Sequence, residues 1–303
     1  MMRLDLTVII LTLNEELHIR RCLENVCDIA QTVYVIDCYS KDKTQDICKE
    51  YENVEVMEHI WPGNQAAQFN WALDNLNIET PWVLRLDADE YLSEDLKAEI
   101  QDKLPCLGED VGAIVLPLGR VFHGRRLKYG TEDNTKMIRL FRKGCVRYEN
   151  RVMDEHLNVL KGKTIEFEGK FIDESLISMR AFIAKHNGYS DREAAVLLDY
   201  EYGLTKASLF EGGELAEAVK AKRKNKEKYA NLPLFHRAIF FFLYRYIIRG
   251  GFLDGKQGFV WHFFQGLWYR MLIDAKVAEA RRLCGKDKEK IRKYINDVLG
   301  VKL

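Results

Sequence analysis

The 303-residue sequence lacks several patterns that would assign it to a known class at once. Its seven cysteines are odd in number and form no C-x-x-C pair, which argues against a disulfide framework and against a zinc site. No G-x-G-x-x-G follows the first apolar run, and no G-x-x-x-x-G-K-[ST] occurs, which disfavours dinucleotide binding and P-loop chemistry. These absences favour a globular protein of a reducing cytoplasm.

Long apolar runs are also missing. The opening MMRLDLTVIILTLNEE places Asp5 before its apolar run and Asn14 and Glu15 after it, which indicates a buried strand rather than a secretion signal. Near the C-terminus, Ala238–Tyr244 contains seven uncharged residues between two arginines, against the roughly 20 that a bilayer span needs. The sequence therefore predicts neither a secretion signal nor a membrane-spanning helix.

Positive and negative charges balance over the whole chain but not along it. Residues 1–219 contain 26 Lys and Arg against 39 Asp and Glu, whereas residues 220–303 contain 20 against 7. A positive C-terminal segment favours an anionic partner, namely a membrane surface or nucleic acid. The alternative is a basic tail that neutralises an acidic domain.

Apolar runs and helical patterns alternate through the first third of the chain. The predicted strands are Thr7–Thr12, Val33–Asp37, Val54–Glu58 and Trp82–Leu86, and the predicted helices are His18–Val26, Lys43–Tyr51 and Gln65–Leu76. This series predicts an α/β fold with a doubly wound, mostly parallel sheet. The ligand site of such a sheet lies beyond the carboxyl ends of its strands.

Three acids lie within the four positions directly after the fourth predicted strand, in the stretch WVLRLDADEYLSEDL. Asp87 and Asp89 are two residues apart at a strand end, so their carboxylates can face the same side. Two hard oxygen ligands of this kind suit Mg²⁺ or Mn²⁺ bridging a diphosphate. The alternative, that acids here complement the start of the helix after Ser93, is the one we expect for Glu94 and Asp95.

Four segments together resemble a known family. In chain order these are TVIILTLNEELHIRRCLENV, VYVIDCYSKDKTQDIC, WPGNQAAQFNWALDN and PWVLRLDADEYLSEDL. The chain is similar to inverting family 2 glycosyltransferases of the GT-A fold, particularly the branch of lipopolysaccharide-core β-1,4-glucosyltransferases. One departure is DCYSKDKT, in which Cys38 and Tyr39 replace the small residues of the usual D-S-G-S-x-D-x-T turn.

The resemblance implies roles for individual residues. Nucleoside contacts would come from Thr12, Asn14, Glu15 and Asp37, and the metal on the diphosphate would be held by Asp87 and Asp89. Arg139, in the recurrent R-L-F sequence, would lie near the acceptor or the diphosphate. Glu155 would be the catalytic base, with Asp154 as the second candidate.

Gln68 lies early in a predicted helix, where amides and helix N-termini can approach phosphate or sugar hydroxyls, and it is the preferred contact of that segment. Arg139 and Arg142 are three residues apart, so on a strand they would lie on opposite faces and only one could face the crevice.

The sequence divides into a predicted GT-A catalytic domain, residues 1–174, and a helical, basic and aromatic extension, residues 175–303. SLISMRAFIAKHNGYSDREAAVLLDYEYG predicts two helices broken at Asn187 and Gly188. Six basic residues follow between Lys220 and Lys228, and then an aromatic region turns at RGGFLDGKQG. Aromatic faces with interspersed cations predict an amphipathic hairpin in the membrane interface. Packing of these aromatics on the catalytic domain is the alternative.

The resulting functional hypothesis is a metal-dependent inverting hexosyltransferase using Mg²⁺ or Mn²⁺. It would move a sugar from a nucleotide-diphosphate donor, expected to be a UDP-hexose, to a hydroxyl of a lipid-linked or cell-surface saccharide. The expected partner is an anionic membrane surface at the inner face of the cytoplasmic membrane, rather than nucleic acid. The alternatives are a nucleotidyltransferase, whose Gly-rich first loop is missing, and a D-x-D phosphohydrolase, whose motif normally opens its domain.

Overall fold

The computed structural model of the chain describes residues 3–149, 157–205 and 229–302. Asp154, Glu155 and the basic run Lys220–Lys228 lie outside the described residues. The chain divides into two compact units, Met1–Leu176 and Ile177–Leu303.

The first unit alternates strands and helices before it becomes mainly β. Its helices are α1 (Ile19–Val26), α2 (Thr44–Cys48), α3 (Gln65–Asn75) and α4 (Glu94–Lys103). Its strands are β1 (Leu4–Thr12), β2 (Ala30–Asp37), β3 (Val54–Glu58), β4 (Trp82–Asp87), β5 (Glu90–Leu92), β6 (Val111–Phe122), β7 (Arg125–Leu127), β8 (Lys136–Arg142), β9 (Val146–Tyr148), β10 (Leu157–Val159), β11 (Lys163–Glu166) and β12 (Phe171–Glu174).

The main sheet of the described residues has the strand order β3-β2-β1-β4-β8-β6-β12-β5, with β7 and β11 also paired to β6. Strands β3, β2, β1 and β4 are parallel, as the sequence predicts. Strand β8 then pairs antiparallel with both β4 and β6, so the second half of the sheet is mixed. The parallel half brings the carboxyl ends of β1, β2 and β4 to one edge.

Side chains of the parallel strands alternate between two apolar cores. Val8 and Ile10 of β1 pack in one cluster with residues of α1, α2 and α4, whereas Ile9 packs in the other with Phe69 of α3. Successive side chains of a strand point to opposite faces, so a run that is apolar throughout predicts cover on both sides. Helices on both faces are therefore a consequence of the unbroken apolar run in β1.

The helix α4 confirms the expectation for two of the acids after β4. Ser93 is its N-cap and accepts a hydrogen bond from the main-chain nitrogen of Leu96 at 3.3 Å. Glu94 and Asp95 occupy the first turn, where negative charge complements the helix dipole.

The described residues of the second unit form helices and the turns between them, and no strand. Its helices are α5 (Met179–Tyr202), α6 (His236–Leu243), α7 (Gly255–Trp261), α8 (Tyr269–Cys284) and α9 (Lys288–Asp297), with π-helical turns at Tyr244–Ile248 and His262–Trp268 and a 3-10 turn at Gly251–Asp254. None of the helices in the described ranges combines the length and hydropathy of a bilayer-crossing segment.

The predicted break in the first helix of this unit is wrong, because α5 runs unbroken through Asn187 and Gly188. Lys276 of α8 donates to the carbonyl oxygen of Asn187 at 3.1 Å and to Ser190 Oγ at 2.6 Å. Ser190 is buried in the middle of the helix, and its hydroxyl donates to the carbonyl oxygen of Asn187 at 2.6 Å. Tertiary contacts with α8 thus override the local helix-breaking pattern.

Candidate active site

The loops after β1 and β2 are tied together around Asp37, which is fully buried. Its Oδ2 accepts from Thr12 Oγ1 at 2.8 Å and from Ser40 Oγ at 2.6 Å, and its Oδ1 accepts from the Ser40 main chain at 2.8 Å and Gln45 Nε2 at 2.7 Å. Four donors on one carboxylate satisfy its buried charge. Thr12 and Asp37, expected to act together, are adjacent across β1 and β2.

Asn14 and Glu15 continue this interlocking of the two loops. Asn14 has a left-handed backbone with φ of 56°, its nitrogen donates to Ser40 Oγ at 2.7 Å, and its Oδ1 accepts from the Lys41 nitrogen at 2.8 Å. Tyr39 is also left-handed, with φ of 59°, at the turn where the resembling family has small residues. The loop therefore keeps a glycine-like backbone while projecting a 43% exposed tyrosine.

The carboxylate of Glu15 is oriented by a buried histidine. Glu15 Oε2 lies 2.6 Å from His18 Nδ1, and His18 Nε2 accepts from the main-chain nitrogen of Leu176 at 2.9 Å. Because Nε2 is the acceptor, the neutral imidazole carries its proton on Nδ1 and donates it to Glu15. The sequence analysis did not predict His18 as a site residue. Its position four residues after Asn14 is the sequence feature that could have indicated it.

Asp87 ends β4 between two buried guanidinium groups. Its Oδ1 lies 3.2 Å from Arg85 Nη2, and its Oδ2 lies 3.3 Å from Arg139 Nη2. Burial acts to raise the pKa of Asp87, but the charges of Arg85 and Arg139 outweigh it and hold the pKa at about 2. The structure thus brings Arg139 to Asp87, while Arg142 stacks over Trp82 at 4.4 Å and donates to the carbonyl oxygen of Val111 at 3.0 Å.

Glu90 is a member of this cluster that the sequence analysis missed. It is 4% exposed, its Oε2 accepts from the Asp87 nitrogen at 2.9 Å, and its Oε1 accepts from Arg139. Burial raises the pKa of Glu90 to about 8, against the opposing influence of Arg139. The sequence feature that could have indicated a buried acid here is Arg85, in the middle of an apolar strand. A charge in a buried strand needs opposite charges near it.

Asp89 is half-buried, and its main chain is fixed from two sides. Its carbonyl oxygen accepts from the Glu174 nitrogen at 3.0 Å and from Arg21 Nη2 at 3.3 Å. Arg21 also binds the Glu174 carboxylate at 2.7 Å and lies 4.7 Å above the ring of Tyr91. These contacts from α1, β5 and β12 hold the backbone of the D-x-D motif rigid.

Gln68 is fully buried on α3, not at the solvent-facing surface. Its Oε1 lies 2.6 Å from His59 Nδ1, and its Nε2 donates to Cys38 Sγ at 3.3 Å. The ring of His59 stacks on Trp71 with centroids 3.8 Å apart. The amide therefore links α3 to the residues that follow β2 and β3.

The carboxylates at the end of β4 are oxygen ligands of the kind that a hard divalent cation prefers. Among the residues that the structure describes, no group of three or more His, Cys, Asp and Glu side chains is arranged to hold a metal ion. A divalent cation of the magnesium type is commonly held by one or two carboxylates plus substrate phosphates. Asp87 and Asp89 supply this smaller set, and the low pKa keeps Asp87 charged at neutral pH. The residues present therefore fit a cation that arrives with a diphosphate.

The strand order β3-β2-β1-β4, its covered faces and the aspartate pair at the end of β4 define an α/β domain of the GT-A type. Residues 7–152 match the model of Glycosyl transferase family 2. Residues 7–152 therefore form a family 2 glycosyltransferase domain, and the protein is a glycosyltransferase.

Similar proteins span most of the chain. An uncharacterized glycosyltransferase of Rickettsia typhi is 28% identical over 301 residues, covering 98% of this chain and 94% of the relative. The lipopolysaccharide core biosynthesis glycosyltransferase LpsC of Rhizobium meliloti is 28% identical over 211 residues, covering 63% of this chain and 71% of the relative. The solved structure of residues 1–349 of TarS from S. aureus aligns with a TM-score of 0.43 and 15% identity, covering 98% and 91% of the two chains.

Proposed function

We propose that the protein transfers a hexosyl group, with inversion, from a UDP-sugar to a hydroxyl of a lipid-linked or cell-surface saccharide. The observation that supports this best is the charge cluster at the end of β4, where two buried arginines keep Asp87 ionised beside Asp89. An ionised carboxylate pair at the ligand edge of a parallel sheet is suited to a cation-bound diphosphate.

The nucleoside would lie against the interlocked loops after β1 and β2. The two oxygens of Asp37 already accept four hydrogen bonds, so we propose that this residue shapes the nucleoside pocket mainly through Thr12 and Ser40. Asn14 and Glu15 would face the donor from the same loops. Gln68 would act indirectly, by fixing Cys38 beside the nucleoside.

Asp87 and Asp89 would hold Mg²⁺ or Mn²⁺ on the donor diphosphate. When bound, the ion stabilises the negative charge that develops on the departing diphosphate. The chain itself keeps Asp87 charged through Arg85 and Arg139, and it fixes the Asp89 backbone through Arg21 and Glu174.

Inverting transfer needs one base to take the proton from the acceptor hydroxyl as its oxygen attacks the anomeric carbon. We assign this role to Glu155, with Asp154 as the alternative. The acceptor would be a saccharide of the cell envelope, reached at the inner face of the cytoplasmic membrane, because the LpsC relative acts in lipopolysaccharide core biosynthesis.

The metal assignment is tested by Asp89→Asn. An amide keeps the shape but removes the charge that binds Mg²⁺ or Mn²⁺, so we expect the Mn²⁺-dependent part of UDP affinity to be lost while the fold is retained. Calorimetric titration with UDP, with and without Mn²⁺, measures this. Glu94→Asn, in the first turn of α4, is the matched control, and equal Mn²⁺ dependence in both variants would refute the assignment.

The base assignment is tested by Glu155→Gln. Turnover should fall by roughly 10²-fold to 10⁴-fold while UDP affinity stays unchanged, because general base catalysis contributes about this much. Release of UDP from UDP-sugar in the presence of acceptor measures turnover. Loss of UDP affinity would give Glu155 a structural role, and near-normal turnover would move the assignment to Asp154.

A further inference from the structure

The helix formed by α6 and the π-helical turn Tyr244–Ile248 exposes one apolar face. Six of its residues are between 38% and 73% exposed: Ile239, Phe240, Leu243, Tyr244, Ile247 and Ile248. They recur in pairs at a spacing of four, which places them on one stripe of the helix. The opposite face is inside the unit, where Arg237 and Ala238 are buried.

The stripe continues around the turn that follows it. Phe252 and Leu253 are 49% and 51% exposed, and Phe259 in α7 is 47% exposed. Tyr246 connects the helix that carries the stripe to the turn and α7 that follow it. Its ring centroid lies 6.3 Å from that of Phe252 and 5.7 Å from that of Phe259. The six residues of the stripe form one surface together with Phe252, Leu253 and Phe259, and we call this surface the apolar tip.

Within residues 239–259, the charged side chains that reach the surface are cations. Arg249 and Lys256 are exposed, and Arg245 is half-buried with its guanidinium 5.4 Å from the ring centroid of Phe241. The acid in this stretch, Asp254, is 2% exposed. An apolar surface bordered by cations complements a bilayer interface, in which acyl chains lie beneath anionic headgroups.

We propose that the apolar tip inserts into the interfacial layer of an anionic lipid bilayer. The stripe spans ten residues, about 15 Å of helix, which suits a segment lying in the plane of the interface. A second copy of the chain fits less well, because a two-fold contact would bring the same cations together. The inference rests on the proposed function to the extent that a membrane-bound acceptor would be met at this surface.

The test is flotation of the full-length protein with vesicles of phosphatidylcholine alone or with added phosphatidylglycerol. We expect binding to the anionic vesicles, only partly weakened by 1 M salt, since screening removes the charge attraction but not the apolar burial. The double variant Ile248→Glu with Phe252→Glu should lower the partition coefficient by about tenfold or more, because both side chains would meet anionic headgroups.

The matched control places the same charges on exposed apolar residues of the same unit outside the tip. Leu283 and Val298 are 55% and 62% exposed, and Leu283→Glu with Val298→Glu should keep the partition coefficient within about twofold. Ile248→Ser with Phe252→Ser is a milder tip variant that adds no charge. Thermal midpoints establish that each variant is folded.

Absence of wild-type flotation, or equal losses in the tip and control variants, would overturn the proposal. A wild-type dimer that the tip variant dissociates, without vesicle binding, would make the tip a contact between copies. Titration of UDP and Mn²⁺ on the same samples separates this result from the transferase proposal. A protein that floats but does not bind UDP retains the lipid-binding tip and loses the proposed donor site.

Discussion

Single residues at the end of β4 show how the candidate site is held together. Arg85, Glu90 and Arg139 are each 3% to 4% exposed, and Asp87 lies among them. Burying a charge is costly unless it is paired and hydrogen-bonded, so the Asp87 carboxylate and the two guanidinium groups depend on one another. Removing one cation from this cluster leaves an opposite charge in a poorly solvated place.

Arg139→Gln should therefore lower the free energy of unfolding by about 3 kcal/mol. This is the lower end of the range observed when one partner of a buried ion pair is removed. The control is Arg147→Gln, since Arg147 makes a bidentate pair with Asp74 at 2.6 and 2.8 Å in which both side chains are about half exposed. Its loss should cost less than about 1 kcal/mol. Denaturant titration measures both, and equal losses would show that the β4 cluster is not specially dependent on Arg139.

At the scale of elements, the parallel half of the sheet could be predicted to within a few residues. β3 begins and ends as predicted, and β4 extends by one residue to Asp87. Unbroken apolar runs, bounded by polar residues and separated by short helical patterns, leave few alternatives for such segments. The carboxyl-end location of Thr12 and Asp37 follows from this topology.

Other elements could not be predicted because distant residues determine them. Glu90 reads locally as one more acid before a helix, yet β5 pairs it with Asp173 of β12 and buries it. Gly188 reads as a helix end, yet contacts between Lys276 and the adjacent Asn187 keep α5 continuous. Non-local pairing of this kind leaves no periodic signal in the sequence.

Substitution by alanine should have opposite effects on the free energy of unfolding at two helical glycines. A Cβ at Gly188 in α5 would meet nothing within 4 Å, so Gly188→Ala should raise the free energy of unfolding by about 0.5–1 kcal/mol. A Cβ at Gly258 in α7 would lie 2.5 Å from the Asp254 Cβ and 2.6 Å from the Gly251 oxygen. Gly258→Ala should therefore destabilise the protein.

Thermal unfolding of the two variants provides the measurement. A destabilising Gly188→Ala would indicate that Gly188 serves a bend in α5 rather than only tolerating the helix. A neutral Gly258→Ala would show that the turn at Gly251–Asp254 can move aside.

At the scale of the whole molecule, each cluster of buried apolar residues lies within one of the two units. Every buried member of the two clusters in the first unit lies between Leu6 and Phe171, whereas the third cluster runs from Ala194 to Leu299. Each unit thus has an interior of its own. We propose that the two units unfold as separate cooperative transitions.

Acid should act on the second unit through His262. The ring is fully buried, burial lowers its pKa to about 4, and neither ring nitrogen has a partner among the described residues. The unfolded chain, with a pKa near 6.5, binds the proton more readily, so stability is lost as pH falls from about 6.5 towards 4.

Calorimetry at pH 7 and pH 5 checks this expectation. One of two transitions should move to lower temperature at pH 5, and His262→Leu should reduce that shift because leucine binds no proton. His186, whose pKa is also lowered by burial, would account for the remainder. A shift of equal size in the His262→Leu variant would contradict the assignment.

The place of β4 in the sheet has a consequence for synthesis on the ribosome. β4 ends at Asp87, but its second neighbour, β8, begins only at Lys136. At about 5–20 residues per second, the parallel half can assemble while one edge of β4 stays unpaired for roughly 2–10 s. An apolar strand with an open edge is a template for pairing with another chain. Nascent chains on the same messenger RNA are thus exposed to mispairing during that interval, and elongation that is fast between β4 and β8 would shorten it.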